Sequence, residues 1–159
     1  MVYGVIISKD EKFYTHLKKL FNALNNIQNN YKWLLSNYEC YPSDSAIQEL
    51  LKNDYCILRG EEFTALVNKE DFQWIWGTFL AFDPSVSDEE ILKFQLPEND
   101  MYEGFWQVPL TMQHPLAQIE IAAFDASYTL ILTKDFCVLE TLKKTYPQAE
   151  DLEIASKED

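Results

Sequence analysis

Phe72-Gln73-Trp74-Ile75-Trp76-Gly77-Thr78-Phe79-Leu80-Ala81-Phe82, FQWIWGTFLAF, is the run whose reading decides the fold. In an extended backbone successive side chains take opposite faces. Trp74, Trp76, Thr78, Leu80 and Phe82 then share one face. Gln73, Ile75, Gly77, Phe79 and Ala81 share the other. Both faces are largely apolar, the signature of a strand covered on both sides. Gly77 in mid-run, amid aromatic and β-branched residues, argues against a helix.

Working outward towards the N-terminus, residues 60–67 predict a short helix, with Glu61 and Glu62 in its favoured acidic first turn. Tyr55–Leu58 reads as a short strand. Ser43 or Ser45 is placed to cap a helix through Leu51 that turns Ile47, Leu50 and Leu51 inward. Tyr31–Ser36 reads as another strand. Phe13, Leu17, Leu20, Phe21 and Leu24 recur at helical spacing, behind Ser8 or Asp10 as caps, until the Asn-rich stretch 22–30. Val2–Ser8 is the first strand.

Towards the C-terminus, Asp83-Pro84 ends the central strand. Ser87-Asp88-Glu89-Glu90 is a capping box ahead of Ile91, Leu92 and Phe94. Residues 96–104, LPENDMYEG, read as a polar, acidic and mobile loop, followed by a brief strand at Phe105–Val108. Leu116–Phe124 and Ser127–Thr133 flank Asp125-Ala126 as a hairpin. A last helix follows Thr133 or Asp135 and turns Val138, Leu139 and Leu142 inward. The expectation is an α+β fold: a mostly antiparallel sheet of five or six strands with helices packed against it. Residues 1–149 form one domain and 150–159 an acidic, frayed tail. Ile6–Lys19 and Ile131–Lys144 echo each other as two strand–cap–helix units.

Charge narrows the partners. Net charge is −13, with seven basic and six acidic residues in 1–60 but six basic and twenty acidic in 61–159. Arg59 is the single arginine, so nucleic acid, which needs basic groups against its phosphates, is not an expected partner. A basic protein is. No internal apolar run approaches the about 20 residues of a membrane span. The N-terminus lacks a basic n-region and its apolar stretch is short for a signal peptide, so the expected compartment is the cytoplasm. Cys40, Cys56 and Cys137 form no paired motif and read as buried, reduced thiols.

Motifs of catalysis are missing from the sequence. It contains no nucleophile elbow, phosphate-binding glycine loop or dinucleotide fingerprint. His16 lies among lysines, and His114 precedes Pro115 in a loop where exposure is expected. The 83–94 stretch opens like a calcium loop but has Asp88 where glycine is required and Phe94 where glutamate is. No catalytic residue, metal site or cofactor is assigned. Glu120, two residues from Gln118, reads as the wet face of an alternating strand.

Two functional readings follow. In the first, the seven acids of residues 83–103, set against Lys93 alone, steer a basic protein, and neighbouring aromatics anchor it. Its residues are Glu98, Asp100, Tyr102, Glu103, Phe105 and Trp106. In the alternative, an aromatic-lined pocket binds or transforms a small molecule, with Trp76, His114, Glu120 and Asp125 as its residues.

Tyr31-Lys32-Trp33, Thr78-Phe79-Leu80-Ala81-Phe82, Ile119-Glu120-Ile121, Asp125-Ala126-Ser127-Tyr128 and Lys134-Asp135 resemble an uncharacterised family of small bacterial cytoplasmic proteins, a domain of unknown function. That resemblance implies no activity and no defined site. In type, a small acidic α+β chain without catalytic motifs also resembles toxin-immunity proteins, which implies an inhibitor of a basic protein.

Overall fold

The computed structural model describes residues 1–156. Its backbone is one antiparallel sheet built from β1 (Tyr3–Ile7), β2 (Lys32–Cys40), β3 (Tyr55–Arg59), β4 (Trp74–Phe82), β5 (Ile119–Phe124), β6 (Tyr128–Thr133) and β7 (Glu150–Asp151). The spatial order is β3-β2-β4-β5-β6-β1-β7. The aromatic run is β4, inside the sheet, paired with β2 on one side and β5 on the other. β5 and β6 form the hairpin expected around Asp125-Ala126, both of which take positive φ. The sheet has seven strands where five or six were expected. The extra strand is β7, in the segment read as a frayed tail.

Helices α1 (Leu17–Ala23), α2 (Ser45–Leu50), α3 (Gly60–Lys69) and α5 (Phe136–Thr145) cover one face. Leu17 and Leu20, Phe63 and Val67, and Val138 and Leu142 interdigitate there with Val5, Trp33, Leu35, Phe79, Ile121 and Ile131 of the sheet. The interior Trp33 ring donates its N–H to the Gln28 carbonyl at 2.9 Å, so burying it strands no polar group. Gly60 opens α3 where backbones touch: a Cβ there would lie 2.3 Å from the Gln28 carbonyl oxygen.

The other face is covered mainly by the long 83–118 connection. It carries α4 (Asp88–Leu92), and α6 (Leu152–Ala155) joins it from the C-terminus. Ile91 and Ala117 pack on Leu34, Leu80 and Phe82. Phe105, Leu110 and Leu152 pack on Ile6, Ala122, Leu130 and Leu132. The expected capping box forms: Ser87 Oγ accepts from Glu90 N at 3.1 Å and Glu90 Oε1 from Ser87 N at 3.4 Å.

Several expectations are corrected. α1 begins at Leu17, uncapped by a side chain, and Phe13 lies before it, exposed and stacked on His16. Asp44, not Ser43 or Ser45, caps α2 by accepting from Ile47 N at 3.0 Å. Trp74 leaves the simple alternation and packs with Phe79 on the helix-covered face, where the β2–β4 register shifts. Residues Glu103–Trp106 form a 3₁₀ turn instead of a strand. Cys137 is exposed on α5, because the inward positions of that helix are Val138, Leu139 and Leu142. The tail is not frayed at its start: β7 pairs with β1, and Leu152 is fully buried. The rest of the tail, residues 157–159, lies outside the described residues.

Candidate functional site

The acidic segment, expected to be a mobile loop, is instead hydrogen-bonded to the sheet through a buried polar clamp. Asn99 is fully buried between its exposed neighbours Glu98 and Asp100. Its side-chain amide donates to the carbonyls of Gly77 at 2.7 Å and Ala123 at 3.0 Å. Gly77 and Ala123 are paired partners of β4 and β5, so Asn99 bridges the two strands. Thr78 Oγ donates to the Glu98 carbonyl at 3.3 Å.

Gln113 supplies the second half of the clamp. Its Oε1 accepts from Glu98 N at 2.7 Å, and its Nε2 donates to the Glu98 carbonyl at 2.8 Å. The same Nε2 donates to Glu120 Oε2 at 3.0 Å, while Gln113 N donates to Glu120 Oε1 at 3.0 Å. Glu120 is therefore not on a wet face. The 83–118 connection closes over it, and its cross-strand neighbours are Leu80 and Leu132. Burial pushes its carboxyl above the usual glutamate range, and the two Gln113 bonds partly oppose that rise.

The clamp holds up an exposed, acid-fringed ridge. Glu98, Asp100 and Glu103 are exposed, and none of the three ion-pairs among the described residues. Met101 stands at the tip, 89% exposed and at φ 64°, a left-handed conformation rare for a side chain of this size. Tyr102 is half-buried, edge-on to Phe105 with ring centroids 4.7 Å apart. Burial first, and the nearby Glu120 carboxylate second, raise its phenol above the ordinary range.

Phe105 itself is 1% exposed and fills the core under the ridge, which corrects its reading as a surface anchor. Trp106 remains half-buried and meets Phe124 at 6.1 Å and Tyr128 at 6.0 Å. Trp76 meets the same Phe124 at 4.7 Å, so the two tryptophans, thirty residues apart in sequence, belong to one aromatic patch.

The residues of the pocket reading are each directed to a different neighbour. His114 is buried, not exposed: its Nε2 bonds the Ile91 carbonyl at 3.0 Å and its Nδ1 accepts from Leu116 N at 3.1 Å. It also lies edge-on to Phe82 at 4.7 Å. Burial lowers its pKa, so it is a neutral, structural imidazole with both nitrogens engaged. Glu120 is held by Gln113, Trp76 packs on Phe124, and Asp125 sits in the exposed hairpin turn. Two clefts do flank Glu98. One of about 540 Å³ lies towards Tyr38, Leu51 and Lys52, and one of about 180 Å³ towards Tyr102 and Gln113. Among the described residues no three His, Cys, Asp or Glu side chains group as metal ligands, and no helix is long and apolar enough to cross a membrane.

Comparison with protein-family models, curated proteins and solved structures finds no significant match. Asn99, Gln113 and Met101 escaped the sequence reading. An asparagine inside an acidic loop looks like turn text, and nothing local marks it as the buried member of its run.

Proposed function

We propose that the Glu98–Trp106 ridge is a docking surface for a basic protein, and that the chain acts as a binding module of the inhibitor or immunity type. The supporting observation is the fixed display of unpaired acid: Glu98, Asp100 and Glu103 are exposed while the backbone beneath them is tied to β4 and β5 through Asn99, Thr78 and Gln113. Pre-ordered acid raises the encounter rate with a basic surface, and a rigid backbone spares the ordering entropy that a loose loop loses on binding. Met101 and the half-buried rings of Tyr102 and Trp106 supply apolar contact within the acidic fringe.

The experiment is capture from source-cell extract on the immobilised chain, at low and high salt, beside a Glu98→Lys/Asp100→Lys/Glu103→Lys variant. The expected result is a basic protein retained by the wild type at low salt and absent from the variant. Equal retention on both, or none on either, removes the proposal. A second reading, small-molecule binding, is favoured by the cleft of about 540 Å³ beside Tyr38 and Lys52, and a thermal-shift screen tests it.

A further inference from the structure

The two edges of the sheet are built differently. β7 is two residues long, both acidic, and runs straight into α6. That edge is short and charged, as edges protected from further pairing are. β3 is five residues long with Cys56, Ile57 and Leu58 at its centre. It holds no proline, and among the described residues it pairs with β2 alone.

Gly60 N donates to the Tyr31 carbonyl at 2.9 Å, one step beyond the Lys32–Arg59 pair that ends the β2–β3 register. Hydrogen-bonded positions alternate along an antiparallel strand, so Cys56 and Leu58 bond inward to β2 as Gly60 does. Tyr55 and Ile57 then turn their N–H and C=O groups away from the sheet. The next outward donor, Arg59 N, is taken by Glu62 Oε1 at 3.0 Å. An added extended backbone is what satisfies such an outward row.

The side chains around the edge define the segment that fits it. On the helix-covered face an apolar groove of about 310 Å³ runs past Leu58 between α2 and α3, lined by Ala46, Leu50, Ala65 and Leu66. On the other face Ile57 is half-buried beside Leu34 and Leu80. The middle of an added strand therefore meets apolar surface on both faces.

Its ends meet acid. Asp54, just before β3, and Glu61, just after it, are exposed and form no ion pair among the described residues. Asp54 also shares the cleft of about 540 Å³ with Glu98. The bases near the edge are already matched: Lys32 with Asp88 at 3.0 Å, Lys52 with Glu49 at 2.8 Å, Arg59 with Glu62 at 3.0 Å and Lys69 with Asp44 at 3.1 Å. The unmatched charge is thus negative at both ends of the strand. A second copy of this chain would set its own Asp54 and Glu61 against these acids, whereas a basic strand complements them.

We propose that β3 is a docking edge for an extended, basic segment of another protein, apolar at its middle and carrying Lys or Arg at both ends. The segment pairs antiparallel, as the seven strands already do. Its residue opposite Ile57 exchanges both backbone bonds with Ile57. Its residue opposite Leu58 enters the groove between α2 and α3, and its terminal bases meet Asp54 and Glu61. The inference does not rest on the ridge reading, because β3, Asp54 and Glu61 lie outside residues 98–106.

The probe is a synthetic peptide, KKTLVTTKK, blocked at both ends. In the proposed register its leucine lies opposite Leu58, its valine opposite Ile57, and lysines opposite Asp54 and Glu61. The full chain is titrated with it to near-millimolar concentration while amide hydrogen exchange is followed residue by residue. The expected result is slowed exchange at Tyr55 and Ile57. The same peptide N-methylated at its valine should lose that effect, since it cannot donate to the Ile57 carbonyl, and the acidic analogue EETLVTTEE should not bind. Asp54→Lys/Glu61→Lys, altered at two exposed positions, should bind KKTLVTTKK about tenfold more weakly. Unslowed Tyr55 and Ile57 amides overturn the proposal, as does equal binding by the N-methylated peptide, the acidic analogue or the variant. Slowing that appears without peptide as chain concentration rises overturns it in favour of a second copy. A peptide that protects residues 98–106 alone overturns the edge proposal and leaves the ridge reading standing.

Discussion

Glu120 is the residue whose environment carries the clearest solution signature. Its carboxyl is buried between Leu80 and Leu132 and shifted upward by that burial. The folded state therefore disfavours its charged form. This group's contribution to stability is full below the ordinary glutamate pKa and is lost as pH rises through the raised folded value. Denaturant midpoints measured across that window should fall with rising pH in the wild type. In Glu120→Gln that part of the slope should vanish, and an unchanged slope would show that Glu120 is solvated. Asn99 is the second residue with a definite role. Asn99→Ala leaves the Gly77 and Ala123 carbonyls without its amide, at a cost of about 1–3 kcal/mol. Hydrogen exchange over residues 98–103 should accelerate at the same time, whereas a purely local loss would leave that segment unaltered.

Among the elements, those with a local rule were legible in the sequence. β4 announced itself by composition, the β5–β6 hairpin by two β-rich runs around a two-residue gap, and α4 by its capping box. The echo between residues 6–19 and 131–144 holds for the strands, since β1 pairs with β6, but not for the helices: α5 starts at Phe136 behind its cap Asp135, whereas the matching Asp10 and Glu11 lie in the connection before α1, which starts only at Leu17. What failed has no local rule. Glu120 looked solvated because alternation reports which residues share a face, and not whether a distant loop covers it. Glu150 and Asp151 looked frayed because two acidic residues carry no strand signal, and their pairing depends on Leu152 reaching the core beside Gly4. Leu152→Ala should accordingly cost about 2–5 kcal/mol by chemical denaturation. A change within about 0.5 kcal/mol is what a loose tail would give.

At the scale of the whole molecule, unpaired acid is not confined to one end: Asp54 and Glu61 stand exposed beside β3, and the long connection over the second face presents Glu98, Asp100 and Glu103 on the Glu98–Trp106 ridge. Composition revealed the charge asymmetry between the two halves of the chain but not how the ridge is held to the sheet, which depends on Asn99 and Gln113 bonding residues 15 to 24 positions away. The candidate site was legible as an acidic stretch beside aromatics. It was not legible which aromatic is core, Phe105, and which apolar side chain stands most exposed on the ridge, Met101. The measurement that bears most directly on the docking account is the association rate of the chain with the basic protein it captures, followed by stopped flow against ionic strength. The account predicts a wild-type rate that falls steeply with salt, and a slower, flatter rate for Glu98→Lys/Asp100→Lys/Glu103→Lys. Equal rates and equal salt slopes for the two would contradict it.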